Sequence, residues 1–492
     1  MDPRRLERGE VIDGFRLDAP LDPGGMANFW RVSRADIAMP LIMKVPLLRP
    51  GENPVTIVGY ETEQMILPRL SGPHAPRFIA AGDIEQPYIV MEFIAGRSLK
   101  TLLDRTPLPA SDVAAIGVRI ADALHDLHRQ HVLHLDLKPS NVIMRETGEP
   151  GYGPVALIDF GLSRHDQLPD LVGEEVDGPV GTGAYIAPEQ VLGDRGDPRS
   201  DLFALGVILY FLATGERPFG EPDSAGEWKR RLWRDPIPPR RRNPDVPPWL
   251  QEIILHCLEV DPDARYATAA QIAFDLQHPG EVTLTRRAER MERDGPLTVA
   301  LRWFRARDRR PPRRRTVSGL LAHAPIIMVA IDLATGQENL VEALKLATHR
   351  LLDTEPSARL VCVNVFKIAL VALDRYEDEQ GRNIHLQRLI ELKHWTRGLP
   401  VAPEHVTCHV LESADPAGAL VDYARKHHVD HIVIGARASS TLRRYLGSVS
   451  AQVVAQAPCT VTVVRARSDR SSDGMDAVAP SKPAAKIAST PS

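Results

Sequence analysis

At 492 residues, 25% of them charged and 43% apolar, the chain has the makeup of a soluble protein and the length of two to four domains. A net charge of −4 excludes nucleic-acid binding by bulk basicity and a solvating acidic character alike. The start, "MDPRRLERGE", lacks the apolar run of a signal peptide, and the longest apolar stretches, "GVILYFLA" and "APIIMVAIDLA", are too short to span a bilayer. A cytoplasmic protein with no transmembrane segment is expected. Cys257, Cys362, Cys408 and Cys459 form no C-x-x-C pair, which predicts buried thiols rather than disulfides or zinc.

Residues 11 to about 90 alternate short β-like runs with one helical segment around Thr62 to Leu70. From Ser111 to Gln277 the pattern is mostly helical, with strand-like islands at "VIM" and "VALIDF". A small β-rich part before a larger α-rich part predicts two lobes. His125, His128, His131 and His134 fall three apart, but "VRIADALHDLHRQHVLHLD" reads as an apolar-periodic helix running into a loop, not as a metal stripe.

Between Arg286 and Arg315 lie twelve arginines, four acidic residues and no lysine, ending in "RDRRPPRRRTVSG". This predicts a solvated linker rather than an attachment to nucleic acid or anionic membrane, with Trp303 and Phe304 as an anchor onto a neighbouring domain. Thr316 and Ser318 follow the basic run and read as ordinary linker hydroxyls, with autophosphorylation as the alternative. From Pro325 the order becomes β-α-β: "IIMVAID", "NLVEALKLATHRLLD", "ARLVCVNV", then "ALVDYARKHHV", "DHIVIGA", "VSAQVVAQA" and "CTVTVVRA". Apolar strands separated by helices predict a parallel sheet covered on both faces. The Ser/Ala/Pro/Lys tail after Arg467 predicts disorder.

Transfer of a phosphoryl group needs phosphates held still, metal ions to neutralise charge, and a carboxylate facing the attacking hydroxyl. From Gly14 to His278 the chain carries "LDPGGMANFWRV", "PLIMKV", "ETEQMILPRL", "YIVMEFIAG", "HLDLKPSN", "IDFG", "GTGAYIAPE", "DLFALG" and "DPDARY". In this order and spacing the motifs resemble those of the eukaryotic-like serine/threonine protein kinases of bacteria. The resemblance implies the bilobal α+β protein-kinase fold, ATP and Mg²⁺ as cofactors, and protein substrates. It places Leu21, Asp22, Gly24, Gly25 and Phe29 over the nucleotide. Asp22 and Ala27 stand where the family has glycine, which predicts weaker phosphate cover. Lys44 would hold the α- and β-phosphates and pair with Glu63, Glu61 being the less favoured partner. Met91 would border the adenine, with backbone groups of Glu92 to Ile94 on its edge. Asp136 would be the base, Lys138 the γ-phosphate cation, and Asn141 and Asp159 the metal ligands. Thr182 would steady Asp136 and Lys138, Glu189 would pair with Arg265, and Asp201 would tie down the catalytic loop.

Leu135 stands where that loop usually has arginine, the reader of a phosphorylated activation segment. Between Ser163 and Thr182 the segment has no Ser, Thr or Tyr, but it carries Asp166, Asp170, Glu174, Glu175 and Asp177. Both departures predict an enzyme held active by packing and regulated elsewhere.

Residues near 323 to 466 resemble the universal stress protein family through "IIMVAIDLATG" and "VIGARASSTLRRYLGSVSAQVVAQAPCTVTVV". The resemblance implies a Rossmann-like α/β domain, a homodimer through it, and a second adenine-nucleotide site at Asp332, Gly435, Gly447 and Ser448. Ala438 in place of glycine, a shortened spacer and an added helical stretch near 374–399 favour a dimerising or docking module over nucleotide binding. The division expected is a tail over 1–13, a protein kinase domain over 14–278 (lobes 14–92 and 95–278), an Arg/Pro-rich linker over 279–322, a stress-protein domain over 323–466 and a disordered tail over 467–492. The competing reading is a pseudokinase scaffold or nucleotide-binding adaptor.

Overall fold

The computed structural model describes residues 6–466 apart from 22–26, 48–53, 84–85, 149–150, 177, 223, 307–324, 334–337, 368–383, 403–404 and 437–446. Six antiparallel strands open the chain: β1 (Val11–Ile12), β2 (Phe15–Pro20), β3 (Ala27–Arg34), β4 (Ile37–Pro46), β5 (Phe78–Ala81) and β6 (Ile89–Glu92), in the order β1-β2-β3-β4-β6-β5. Phe15 and Leu17 are buried on one face while Arg16 between them is exposed, the period-two pattern of a half-buried strand. They pack with Ile12, Trp30, Val32, Leu41 and Met43. Val11 and Ile12, assigned to the N-terminal tail from sequence, thus belong to the sheet.

Helix α1 (Pro54–Ile66) lies between β4 and β5, and a 3₁₀ turn, Leu67–Arg69, follows it. The helical segment expected around Thr62 to Leu70 therefore runs earlier. Pro68 explains its end, because proline brings no N–H and its ring crowds the carbonyl a turn back.

In the second lobe, strands β7 (Gly96–Ser98), β8 (Val132–Leu133), β9 (Val142–Arg145), β10 (Val155–Leu157) and β11 (Arg164–His165) frame the loops. The helices are α2 (Ala110–Arg129), α3 (Leu171–Glu175), α4 (Pro188–Val191), α5 (Arg199–Thr214), α6 (Ala225–Trp228), α7 (Pro239–Arg242), α8 (Pro248–Cys257) and α9 (Ala269–Gln277). Helix α2 buries Val113, Ile116, Ile120, Leu124 and Leu127 along one stripe. Helix α5 is buried at every residue but Phe211 and ends on Gly215, whose φ of 74° suits glycine.

The reading of 279–322 as a solvated linker is corrected over its first part. Short helix α10 (Arg286–Glu289) packs on α8: Arg287 pairs with Glu252 (2.9 Å) and Glu259 (3.0 Å), and Ala288 is buried. Gln251 donates to the carbonyls of Arg287 and Arg290, both 2.8 Å. Arginine here serves as carboxylate partner, which composition alone cannot distinguish from a solvated run. Helix α11 (Pro296–Ala306) follows, and Phe304 on it is 61% exposed, so the expected docking of Phe304 onto a neighbouring domain is not met.

The last domain holds β12 (Ile326–Ala330), α12 (Glu338–Thr354), β13 (Arg359–Lys367), α13 (Ile384–Trp395), β14 (Val406–Ser413), α14 (Pro416–Lys426), β15 (His431–Gly435), α15 (Ser448–Gln456) and β16 (Thr460–Val464). Its strands are all parallel, in the order β14-β13-β12-β15-β16. Ile326 and Met328 join the core on one face, Ile327 and Val329 that on the other. Helix α9 of the second lobe closes the first of these cores, with Phe274 1% exposed within it. Arg359 lies 4.5 Å over the Phe274 ring and bonds Asp275 at 2.5 Å. His428 reaches Asp122 on α2 at 2.9 Å. The residues beyond 466, expected to be disordered, lie outside the described residues.

Candidate active site

Near the end of strand β4, Lys44 is in register with Phe29 of β3 and Ile89 of β6. Its ammonium meets Glu63 of α1 at 2.5 Å and Asp159 at 3.0 Å. Gly59, one turn before Glu63, permits this approach: a Cβ there would meet the Gly161 carbonyl at 3.3 Å. Phe160 is fully buried, and its N–H points to Glu63 at 3.4 Å. Burial works against the Lys44 charge, but the carboxylates of Glu63 and Asp159 outweigh it and hold its pKa above the usual lysine range. Burial raises Asp159 as well, yet Lys44, with help from Lys138 and His134, pulls it below the ordinary aspartate value. Burial pushes the Glu63 carboxyl up against the pull of Lys44. The three groups form one charged unit, and Asp159 is its most open member, 47% exposed.

The loop carrying Asp136 turns through left-handed backbone at Leu135 (φ 60°), and Asp159 shares that conformation (φ 68°). Both Asp136 carboxylate oxygens are engaged. Oδ1 accepts from the Thr182 hydroxyl (2.7 Å) and N–H (3.0 Å), and Oδ2 from Lys138 (2.6 Å). Lys138 also donates to Thr182 at 3.0 Å. Asn141 donates to the Asp136 carbonyl at 3.0 Å. Asp201, fully buried on α5, accepts the N–H groups of His134 (2.9 Å) and Leu135 (2.8 Å). Burial would raise the Asp201 pKa, but the His128 ring at 2.9 Å helps to hold it down. Glu189 and Arg265 form a buried bidentate pair at 2.8 and 2.7 Å, with Ser200 on Glu189 at 2.6 Å. Among the described residues no metal-binding cluster of three His, Cys, Asp or Glu is found; the His128 ring bonds Asp201 and the His134 ring the Ile158 carbonyl.

At the hinge, the Glu92 N–H bonds the Arg77 carbonyl (2.9 Å) and the Phe93 N–H the Pro40 carbonyl (2.8 Å). The Glu92 and Phe93 N–H groups are thus engaged within the chain. Leu21, just past β2, donates to the Phe29 carbonyl of β3 at 2.8 Å. Asp22, Gly24 and Gly25 lie outside the described residues, as do Thr316, Ser318 and Ala438.

Three contacts had no signal in the sequence. Gln190 donates to the Leu135 carbonyl at 3.0 Å, and Leu135 itself is 4% exposed. Asp170 of the activation segment accepts two bonds from Arg195, both 3.2 Å, while Arg195 also holds the Leu162 carbonyl at 2.9 Å. In the C-terminal domain, Asp332, Gly435, Gly447 and Ser448 line one cavity of about 510 Å³. Arg388 of α13 also lines it, bonded to Asn364 at 2.9 Å and stacked 5.0 Å from the Phe366 ring centre.

Comparison with known proteins matches residues 56–279 to the protein kinase domain and residues 324–465 to the universal stress protein family. The chain is similar to the serine/threonine-protein kinase pkn3 of Myxococcus xanthus, 32% identical over 277 residues, covering 54% of this chain and 49% of that one. It is also similar to serine/threonine-protein kinase PknB of Mycolicibacterium smegmatis, 32% identical over 277 residues, covering 55% and 39%. The crystal structure of the Mycobacterium tuberculosis PknI kinase domain aligns over 56% of this chain and all of that one, at 22% identity and a TM-score of 0.44. The chain spans about half or less of the length of these curated relatives.

Proposed function

We propose that this chain, a protein kinase domain followed by a universal stress protein domain, transfers the γ-phosphate of ATP to serine or threonine hydroxyls of proteins. The observation that carries the reading is the joining of Lys44, Glu63 and Asp159 into one unit beside Asp136, Lys138, Thr182 and Asn141. Lys44 would hold the α- and β-phosphates, with Glu63 fixing its direction. Asp136 would take the proton of the attacking hydroxyl, and Lys138, already beside it, would turn to the γ-phosphate. The amide oxygen of Asn141 and the cleft-facing carboxylate of Asp159 are oxygen donors that suit Mg²⁺, which when bound neutralises phosphate charge.

The activation segment supports a phosphorylation-independent form of this enzyme. Leu135 replaces the arginine that would read a phosphate, and it is buried. The Asp170–Arg195 contact supplies instead an anion and a guanidinium encoded in the chain. The stress-protein domain reads as a docking and sensing module. Its seat on α9 supports docking, and the cavity at Asp332 is of a size that accepts a nucleotide. A contact path supports coupling to catalysis: the His428 and His125 rings lie 4.4 Å apart, and His128, one turn along α2, bonds Asp201 beneath the catalytic loop.

The test is radiolabelled ATP with the purified full chain and an Asp136→Asn variant. Transfer to protein that falls about 10² to 10⁴-fold in the variant supports the reading. Equal labelling of the two favours a scaffold.

A further inference from the structure

We propose that helix α11 is a membrane-surface anchor, its outer apolar face seated in the headgroup region of an anionic lipid bilayer. Leu297, Leu301 and Phe304 fall at helical positions i, i+4 and i+7 and are 80%, 61% and 61% exposed. Ala300 shares that face, and the Trp303 ring stands edge-on to Phe304 with centroids 5.0 Å apart. An apolar stripe this open on an amphipathic helix is the pattern of an interfacial segment.

The opposite face fixes the direction in which the stripe points. Arg302 bonds Asp235 and Asp294, both at 3.0 Å. Arg290 bonds the same two carboxylates at 2.7 and 2.6 Å. These contacts clamp α11 to the catalytic domain and keep Leu297, Leu301 and Phe304 outward.

Charge selects the occupant. The turn Lys229–Leu232 touches α11, and Lys229, Arg230 and Arg234 near it are exposed. Asp235 and Asp294 are already paired with arginine, and Glu227 lies 3.5 Å from Arg230. An apolar face rimmed by cations matches anionic headgroups above acyl chains. Two such rims on copies of this chain would repel, and nucleic acid would leave the apolar face in water. Arg290 and Arg302 thus clamp the helix, while Lys229, Arg230 and Arg234 supply the attraction.

The experiment is co-sedimentation of the full chain with phosphatidylcholine vesicles, with and without phosphatidylglycerol, beside the double variant Leu301→Asp/Phe304→Asp. The unmodified chain should pellet with anionic vesicles only, and less so as salt shortens the Debye length to about 8 Å and below. The double variant should bind at least about tenfold more weakly while keeping its circular dichroism. Should that variant misfold, Trp303 emission decides in the unmodified chain: a blue shift on adding anionic vesicles, lost in Trp303→Phe, supports the anchor. No pelleting, or pelleting equal in wild type and a folded variant, overturns it. So does a self-association, or a retention on nucleic acid, that the same substitutions abolish.

Discussion

The proposed catalytic cleft and the C-terminal cavity hold their motif residues in opposite ways. In the cleft, motif side chains meet one another: Lys44 with Glu63 and Asp159, Asp136 with Lys138 and Thr182, Glu189 with Arg265. In the C-terminal domain, Asp332, Gly435, Gly447 and Ser448 meet around open space. A closed polar network commits a region to one charge distribution before any ligand arrives, since each group is oriented by the next. A lined cavity commits only to size and polarity, and leaves the ligand to be selected by whatever reaches in, here Arg388.

The contrast can be broken most severely at Asp136, the proposed base. Asp136→Asn should lower phosphoryl transfer about 10² to 10⁴-fold in a radiolabel assay, with folding intact. Arg265→Ala strikes the same network through stability. It strands the buried Glu189 charge, so the kinase domain should lose about 3–5 kcal/mol in urea denaturation. Asp170→Asn tests the proposed substitute for a phosphate. Losing a charge-assisted contact of about 1.5 kcal/mol should lower activity roughly tenfold, whereas phosphatase treatment of the unmodified chain should leave activity unchanged.

A milder effect is expected from acid at the seam between the two regions, where His278, His409 and His427 surround Phe274 beside Arg359, Lys426, Asp275, Glu281 and Tyr423. Burial, with the neighbouring His278, pushes His409 down to about 4 and His427 to about 3. Undocked histidines take protons below their ordinary value of 6.5 and docked ones do not, so docking weakens as pH falls from there. Burial raises Glu281 to about 7, which works the other way between its ordinary 4.5 and 7. Three lowered histidines outweigh one raised carboxyl, and thermal unfolding should split into two steps at pH 5 from one at pH 7. The smallest effect is expected at the cavity. Arg388→Ala should weaken ADP binding by about 1 kcal/mol, roughly fivefold, in calorimetry, and an unchanged affinity would place the nucleotide elsewhere.

Much of the cleft was legible because its residues sit on short motifs whose spacing is covalent. The residues "HLDLKPSN" carry Asp136, Lys138 and Asn141 within one turn of chain, and "IDFG" needs only to be brought beside them. Arg195 and Gln190 were not legible, because nothing in their neighbours marks them and their partners lie 25 and 55 residues away. The linker misled for a related reason. Arginine reads the same whether it faces water or a carboxylate, and Glu252, Asp235 and Glu259 come to it only through the fold.

By itself the sequence determined the order of the domains and the alternation and apolar runs of their strands, and it pointed to the groups proposed to carry phosphoryl chemistry. Those follow from local periodicity and from functional-group chemistry, which are properties of neighbours along the chain. Only the tertiary structure decided that Asp170 meets Arg195, that Phe274 seats the second domain, and that the face of Leu297, Leu301 and Phe304 is left outward. Each of these is a meeting of distant segments, set by which surfaces bury one another, and no spacing along the chain encodes it.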